Sequence, residues 1–278
     1  MYKSFFKNDK LTWYWWYFML IGSIINLKLI SDFYFNNRLN DFQMKITQLA
    51  FIYTIVGALR AHYPKKDLER VCFSDSILSY PFFGRTIATV AEISYIQLIV
   101  LIIKKIIIDN FEKNSNILLT LDILVPIIIF AQVMCWAGCL TKNGLWNAIE
   151  ESIWAFVSLA LFIINYIIYS DSKNLPQSNK IQDVQQLSFI FMTGTLIFFI
   201  FMITVDIPMY FRRWKNKKNN QKNSLFEMTQ DMMQCKKTTT KLKYWKEEIP
   251  WKTGYFVFGV LSSILLVKWY YNYSSHNM

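Results

Sequence analysis

Pro81–Gln97, PFFGRTIATVAEISYIQ, opens an apolar run that continues to Ile103 and stops at Lys104 and Lys105. A helix rises about 1.5 Å per residue and the hydrocarbon core of a bilayer is about 30 Å thick, so a run of this length crosses as a helix. Two ionisable residues, Arg85 and Glu92, lie inside it. Positions seven apart sit about 20° apart around a helix, so Arg85, Thr89 and Glu92 share one face. A charge at the bilayer centre costs roughly 2.5–3.5 kcal/mol on insertion scales. A span that keeps two charges on one stripe is expected to turn them toward other helices. The stretch predicts a membrane protein with a polar interior.

The rest of the chain repeats the pattern. Of 278 residues, 54% are hydrophobic and 18% charged, against about 25% charged in a soluble domain. The apolar residues fall in long blocks rather than amphipathic periods, which is the membrane signature. Spans are predicted at about 13–30, 43–61, 81–103, 117–140, 145–169, 186–211 and 251–271. The expected fold is all-α: a polytopic membrane helix bundle of about seven transmembrane helices, forming a single polytopic membrane domain over 1–278. The second block, Ile46–Leu59, spans only with the help of its flanks. The first opens with WYWWY, the pattern of an interfacial aromatic belt, and is too long and too aromatic for a cleaved signal. Pro126 is expected to kink the fourth span. The link Thr141–Gly144 is so short that the fourth and fifth spans must form an antiparallel hairpin.

Net charge is +11, with 30 Lys and Arg against 19 Asp and Glu. In a soluble chain this would suggest nucleic acid. Here the basic residues cluster at span ends, in the amino terminus (Lys3, Lys7, Lys10), the 60–80 loop, the 141–144 link and the 212–250 segment. The positive-inside rule accounts for them, and no nucleic-acid partner is expected. The amino terminus and the basic inner loop 212–250 are therefore placed on the cytoplasmic or matrix-like side, and the carboxyl terminus opposite. Which membrane holds the protein is not legible. Membrane lipid is the expected partner, and the basic loop suits anionic headgroups as well as it suits an ordinary inner loop.

Cys72, Cys135, Cys139 and Cys235 show neither disulfide-framework spacing nor a paired CxxC pattern. Cys135 and Cys139, one turn apart, read as small packing residues. His62 and His276 fall at opposite ends of the membrane, and there is no HxxxH or HExxH, so no metal site is expected. No cofactor is assigned. Lys268 lies near the outer end of the last span, where snorkelling to the interface suits it better than a Schiff base.

The remaining polar residues inside spans collect toward the inner side. Glu92 lies about 10 Å deeper than Arg85. Gln132, Cys135, Trp136 and Cys139 share a face of the fourth span. Asn147, Glu150, Glu151 and Trp154 occupy the first turns of the fifth, and Asp206 the inner end of the sixth. Acids in a low dielectric suit proton transfer, and ionisable residues in a span are functional candidates. Glu92, Glu150 and Glu151 are the candidate catalytic groups. Arg85, Thr89, Asn147, Trp154, Trp136 and Asp206 are the candidate binding groups. The competing reading makes them interhelical ion pairs and glue. Arg85 is expected to neutralise Glu92 in its own helix or Glu151 on the fifth span.

PFFGRTIATVAEISYIQ, with FAQVMCWAGCLTKNGLWNAIEESIWA at Phe130–Ala155, resembles a family of uncharacterised multi-span membrane proteins. These share GR-x-x-AT-x-AE, then a Cys-Trp stretch, then N-A/V-x-EE-x-x-W. The likeness covers about residues 70–160 and picks out Gly84, Arg85, Thr89, Glu92, Trp136, Asn147, Glu150, Glu151 and Trp154. It implies a multi-span fold and carries no activity with it. Two functions stay open. In one, the inner-side polar site (Arg85, Glu92, Glu150, Glu151) binds or processes a lipophilic or anionic small molecule, as an enzyme or a proton-coupled carrier. In the other, the protein is a non-catalytic accessory subunit, with protein partners in a larger membrane complex.

Overall fold

Among the described residues, seven helices are long and apolar enough to cross a membrane: Lys10–Asn36, Asp41–His62, Pro81–Asn110, Asn116–Thr141, Gly144–Ser172, Asn179–Lys215 and Glu248–Ser275. Each expected span has its helix, the second included. The structure is a computed structural model and describes residues 5–111, 115–215 and 224–275. Lys3, residues 216–223 of the basic loop, His276 and Met278 lie outside the described residues. The fold is all-α, as expected. Without water to satisfy it, a backbone crossing lipid must bond to itself, so each apolar block closes into a helix.

Local signals set the helix ends. Helix α1 is Phe5–Asn36. Helix α2, Asp41–His62, starts with a capping box in which Asn40 and Gln43 exchange bonds of 2.9 Å, and it ends before Pro64. Helix α3, Pro81–Asn110, has proline at its first position, where a missing N–H costs nothing. Helix α4, Ser115–Thr141, continues through Pro126. Helix α5, Gly144–Ser172, is capped by Asn143, and Ser178 caps α6, Asn179–Phe201. After α6 comes a π turn, Met202–Asp206, and then α7, Ile207–Lys215. Pro208 supplies the reason. It has no N–H for the carbonyl of Thr204, and its ring presses on that carbonyl, so the helix widens there. The last span begins as α10, Glu248–Thr253, passes through a second π turn, Gly254–Gly259, and finishes as α11, Val260–Ser275.

The chain divides into two compact units. The first comprises Met1–Leu98 with Asn223–Tyr271. In it, α1 and α2 pack on the last span at glycines: a Cβ on Gly22 would meet Val257 at 2.7 Å, and one on Gly57 would meet Val260 at 2.5 Å. At the end holding His62 and Glu248 the unit carries a small cap. Strands β1 (Lys65–Lys66), β2 (Val71–Cys72) and β3 (Lys237–Thr238) form a sheet in that order, the first pair antiparallel and the second parallel. Helices α8, Leu225–Met232, and α9, Leu242–Trp245, complete it.

The described part of the 212–250 segment carries α8, β3 and α9. One expectation is corrected here. Cys72 and Cys235 form a disulfide although their spacing gave no sign of one. They lie 163 positions apart, and only the β2–β3 pairing brings them together. The WYWWY stretch also does more than line an interface. Trp15 is buried at 6% exposure, meets the Trp245 ring at a tilt with centroids 5.9 Å apart, and donates to Thr253 Oγ1 at 2.9 Å. Trp13 and Trp16 pack against Phe73. Trp15, Phe73 and Trp245 thus form one apolar core with Met19, Phe256 and Val257.

The second unit comprises Ile99–Lys222 with Asn272–Met278. The hairpin α4–α5 turns at Lys142, whose φ of 52° closes the tight link. Gln185 on α6 donates to the Ser172 carbonyl at the far end of α5, at 3.2 Å. Asn110 donates to the Tyr273 hydroxyl at 2.6 Å, and Lys104 bonds Asp122 at 2.6 Å.

Candidate functional site

In the first unit the polar stripe of α3 is present as read. Arg85, buried at 6% exposure, donates Nη2 to Glu92 Oε1 at 2.5 Å. Glu92, one of the two partners expected, is thus found beside Arg85. Thr89, on the same stripe, returns its hydroxyl to the Arg85 carbonyl at 3.0 Å. Beyond Glu92 the polar line continues through groups the sequence reading did not single out. Tyr53 lies within electrostatic reach of Glu92 and stacks on Tyr95 at 4.7 Å. The Tyr95 hydroxyl is 3.3 Å from that of Ser262, which donates to the carbonyl of Gly259 at the end of the π turn, at 2.6 Å. Two tyrosines and a serine inside apolar runs were the available signal.

At the mouth of that line stands a group of buried ions. Arg60 donates to the Gly84 carbonyl at 2.9 Å and faces Asp67 at 3.5 Å. Lys65, 2% exposed, donates to the carbonyls of Leu78 at 2.6 Å and Tyr80 at 3.2 Å. Gly84 makes this possible, because a Cβ there would lie 2.5 Å from Lys65 Nζ. Burial, reinforced by the charge of Arg60, pulls the Lys65 amine down to about 7. Burial alone would raise the Asp67 carboxyl, but Arg60, Lys65 and Lys252 outweigh it and hold the carboxyl below its ordinary value. Glu248 bonds Lys252 at 3.1 Å and lies 3.8 Å from Lys66. The cations named here, Arg60, Lys65, Lys66 and Lys252, outnumber the acids Asp67 and Glu248.

The second unit holds the other predicted acids. Glu150 and Glu151, in the first turns of α5, are 4% and 5% exposed, and Asp206 at the end of the π turn is 1% exposed. All three lie within electrostatic reach of the Tyr210 hydroxyl, together with the Arg213 guanidinium. That guanidinium also stacks over the Tyr210 ring at 5.4 Å. Asn147 donates Nδ2 to Glu150 Oε2 at 3.2 Å and toward Cys135 Sγ at 3.7 Å. Its Oδ1, fully buried, has no hydrogen-bond partner. Gly138 on α4 leaves room for that oxygen, since a Cβ there would be 2.2 Å away. Trp154 is buried and meets Phe198 edge-on at 6.4 Å, while Trp136 is half-buried. Gln132, Cys135 and Cys139 are buried, as their shared face predicts.

The predicted residues thus fall in two groups. Arg85, Thr89 and Glu92 belong to the first unit. Trp136, Asn147, Glu150, Glu151, Trp154 and Asp206 belong to the second, where Tyr210 and Arg213 join the acids. Tyr210 was missed because it lies beyond Pro208, in what reads as the end of a span. Among the described residues no three His, Cys, Asp or Glu side chains are placed to hold a metal ion. Comparison of the chain with models of known families, with curated proteins and with solved structures finds no match.

Proposed function

We propose that this multi-pass membrane protein binds a lipophilic organic cation at the carboxylates of its second unit, and that its membrane activity works through that site. The observation that carries the reading is the gathering of Glu150, Glu151 and Asp206 around Tyr210 with one guanidinium, Arg213, among the groups acting on that hydroxyl. Glu150, Glu151 and Asp206 bring three carboxylates within electrostatic reach of one hydroxyl in a water-poor setting, a pattern that suits a cationic ligand. The unpaired Asn147 Oδ1 is a second feature that suits an ammonium donor. The π turn that delivers Asp206 is a third, because such turns recur at functional sites. An anionic ligand is less well served, since Arg85 is already engaged with Glu92.

The test is equilibrium binding of tetraphenylphosphonium, a lipophilic cation, to the purified protein in nanodiscs. Saturable binding is expected, and it should be lost in Glu150→Gln/Glu151→Gln. Equal binding by wild type and variant would overturn the reading. An accessory-subunit role remains the second reading, favoured by the span Asn179–Lys215, of which only 11% of the most apolar window is buried. A stoichiometric partner retained through mild detergent would support it.

A further inference from the structure

We propose that Cys72–Cys235 is a reversible thiol–disulfide exchange site, opened by a cytoplasmic dithiol, that latches the 224–247 segment onto the 63–80 loop. The disulfide is the one covalent tie between these segments among the described residues. Other ties lie close to it. Lys236 N and Lys237 N donate to the Arg70 carbonyl at 2.9 and 3.2 Å, Thr239 N donates to the Cys72 carbonyl at 3.0 Å, and Arg70 pairs with Asp231 at 2.9 Å. A ladder two residues long cannot hold a segment by itself. Trp245 anchors the far end inside the aromatic core, and Met232 is buried ahead of Cys235.

Compartment and access point to exchange rather than to a fixed cross-link. The same end of the unit carries Lys65, Lys66, Arg70, Lys236, Lys237, Lys241, Lys243 and Lys246, and the positive-inside rule assigns such an end to the cytoplasmic side. There a disulfide is ordinarily transient or redox-sensing. Cys72 is fully buried and Cys235 half-buried, so a thiolate reaches the Cys235 sulfur first. Both sulfurs lie against the Ser79 carbonyl, at 3.3 and 3.8 Å. In the disulfide these are contacts only, because neither sulfur carries a hydrogen. Once reduced, the buried Cys72 thiol finds in Ser79 O an acceptor already in place, so the pocket accommodates both forms.

The step balances as ordinary exchange. One thiolate of the dithiol attacks Cys235 Sγ, the S–S bond breaks, and the electron pair leaves on Cys72, which takes up a proton. The second thiol of the dithiol then attacks the mixed disulfide and leaves as part of an oxidised cyclic disulfide. Cys235 takes up the second proton. Two electrons pass from the dithiol to the protein.

The test uses the full chain in its native membrane. Cells are acid-quenched, denatured and alkylated with a maleimide–polyethylene glycol. The oxidised protein takes two adducts, on Cys135 and Cys139, and the reduced protein takes four. Both species are expected, shifting to four adducts after dithiothreitol and back to two after diamide. Two adducts throughout, unmoved by dithiothreitol in native membranes, would overturn the proposal, as would four adducts under every condition. In parallel, trypsin cleavage at Lys236–Lys243 should rise about tenfold on reduction, because proteolysis follows the population of the released segment. Cys72→Ser/Cys235→Ser should match the reduced form. Cleavage equal in the oxidised and reduced wild type would show that the disulfide latches nothing.

Discussion

Arg85 and Glu92 show how far single residues carry the account. Their spacing of seven places them on one face of a helix, and they meet at 2.5 Å. Breaking a buried pair leaves an uncompensated charge at a cost on the order of 3–5 kcal/mol. Glu92 retains some exposure, so Arg85→Met should fall toward the lower end of that range. Adding Glu92→Gln should restore part of the melting temperature. No recovery in the double variant would mean that the pair is energetically idle. Lys65, by contrast, was read only as a loop lysine, since nothing in the local sequence says that Gly84 will make room for it. With its amine at about 7 in the fold and 10.5 in the open chain, the unfolded state binds more protons between those values. Stability therefore rises with pH across that window and falls as pH drops toward 7. The melting temperature of wild type relative to Lys65→Met should climb from pH 7 to pH 10, and parallel curves would refute the assignment. Gly138 makes a similar case beside Asn147. Gly138→Ala forces that side chain aside, at a cost of about 1–3 kcal/mol for overpacking. It should weaken cation binding as strongly as Asn147→Ala does. Unchanged binding by Gly138→Ala would remove Asn147 from the site.

At the scale of elements, the spans were legible because lipid leaves an apolar block only one stable form. The cap was not. Strands of two residues carry no periodicity, and a disulfide across 163 positions follows from their pairing rather than from cysteine spacing. The π turns were equally hidden, although Pro208 was in view. Their effect is directional. A π turn takes in one extra residue, so every side chain on one side of it is rotated by about 100° relative to a continuous α-helix. Deleting Ile203, which is exposed, should return the span to α-helix and swing Asp206 and Tyr210 out of register with Glu150 and Glu151. The deletion variant is expected to insert and fold but to lose cation binding. Full binding with the deletion would show that the π turn does not position the acids.

At the scale of the molecule, the seven helices of spanning length among the described residues match the hydropathy blocks one for one, which makes this a multi-pass membrane protein. The grouping of the polar residues was less legible. Burial cost selects which residues are unusual, but only the packing of helices decides which of them meet. That packing assigned Arg85 and Glu92 to one unit and Glu150, Glu151 and Asp206 to the other. The central claim is that these last three work as ionisable groups rather than as packing. Glutamine and asparagine keep their size and hydrogen-bonding capacity but cannot ionise. The direct measurement is rescue of a knockout by Glu150→Gln/Glu151→Gln/Asp206→Asn, in a variant shown to be expressed, inserted and melting within a few degrees of wild type. The account predicts that rescue fails. Full rescue by that well-folded variant would contradict it.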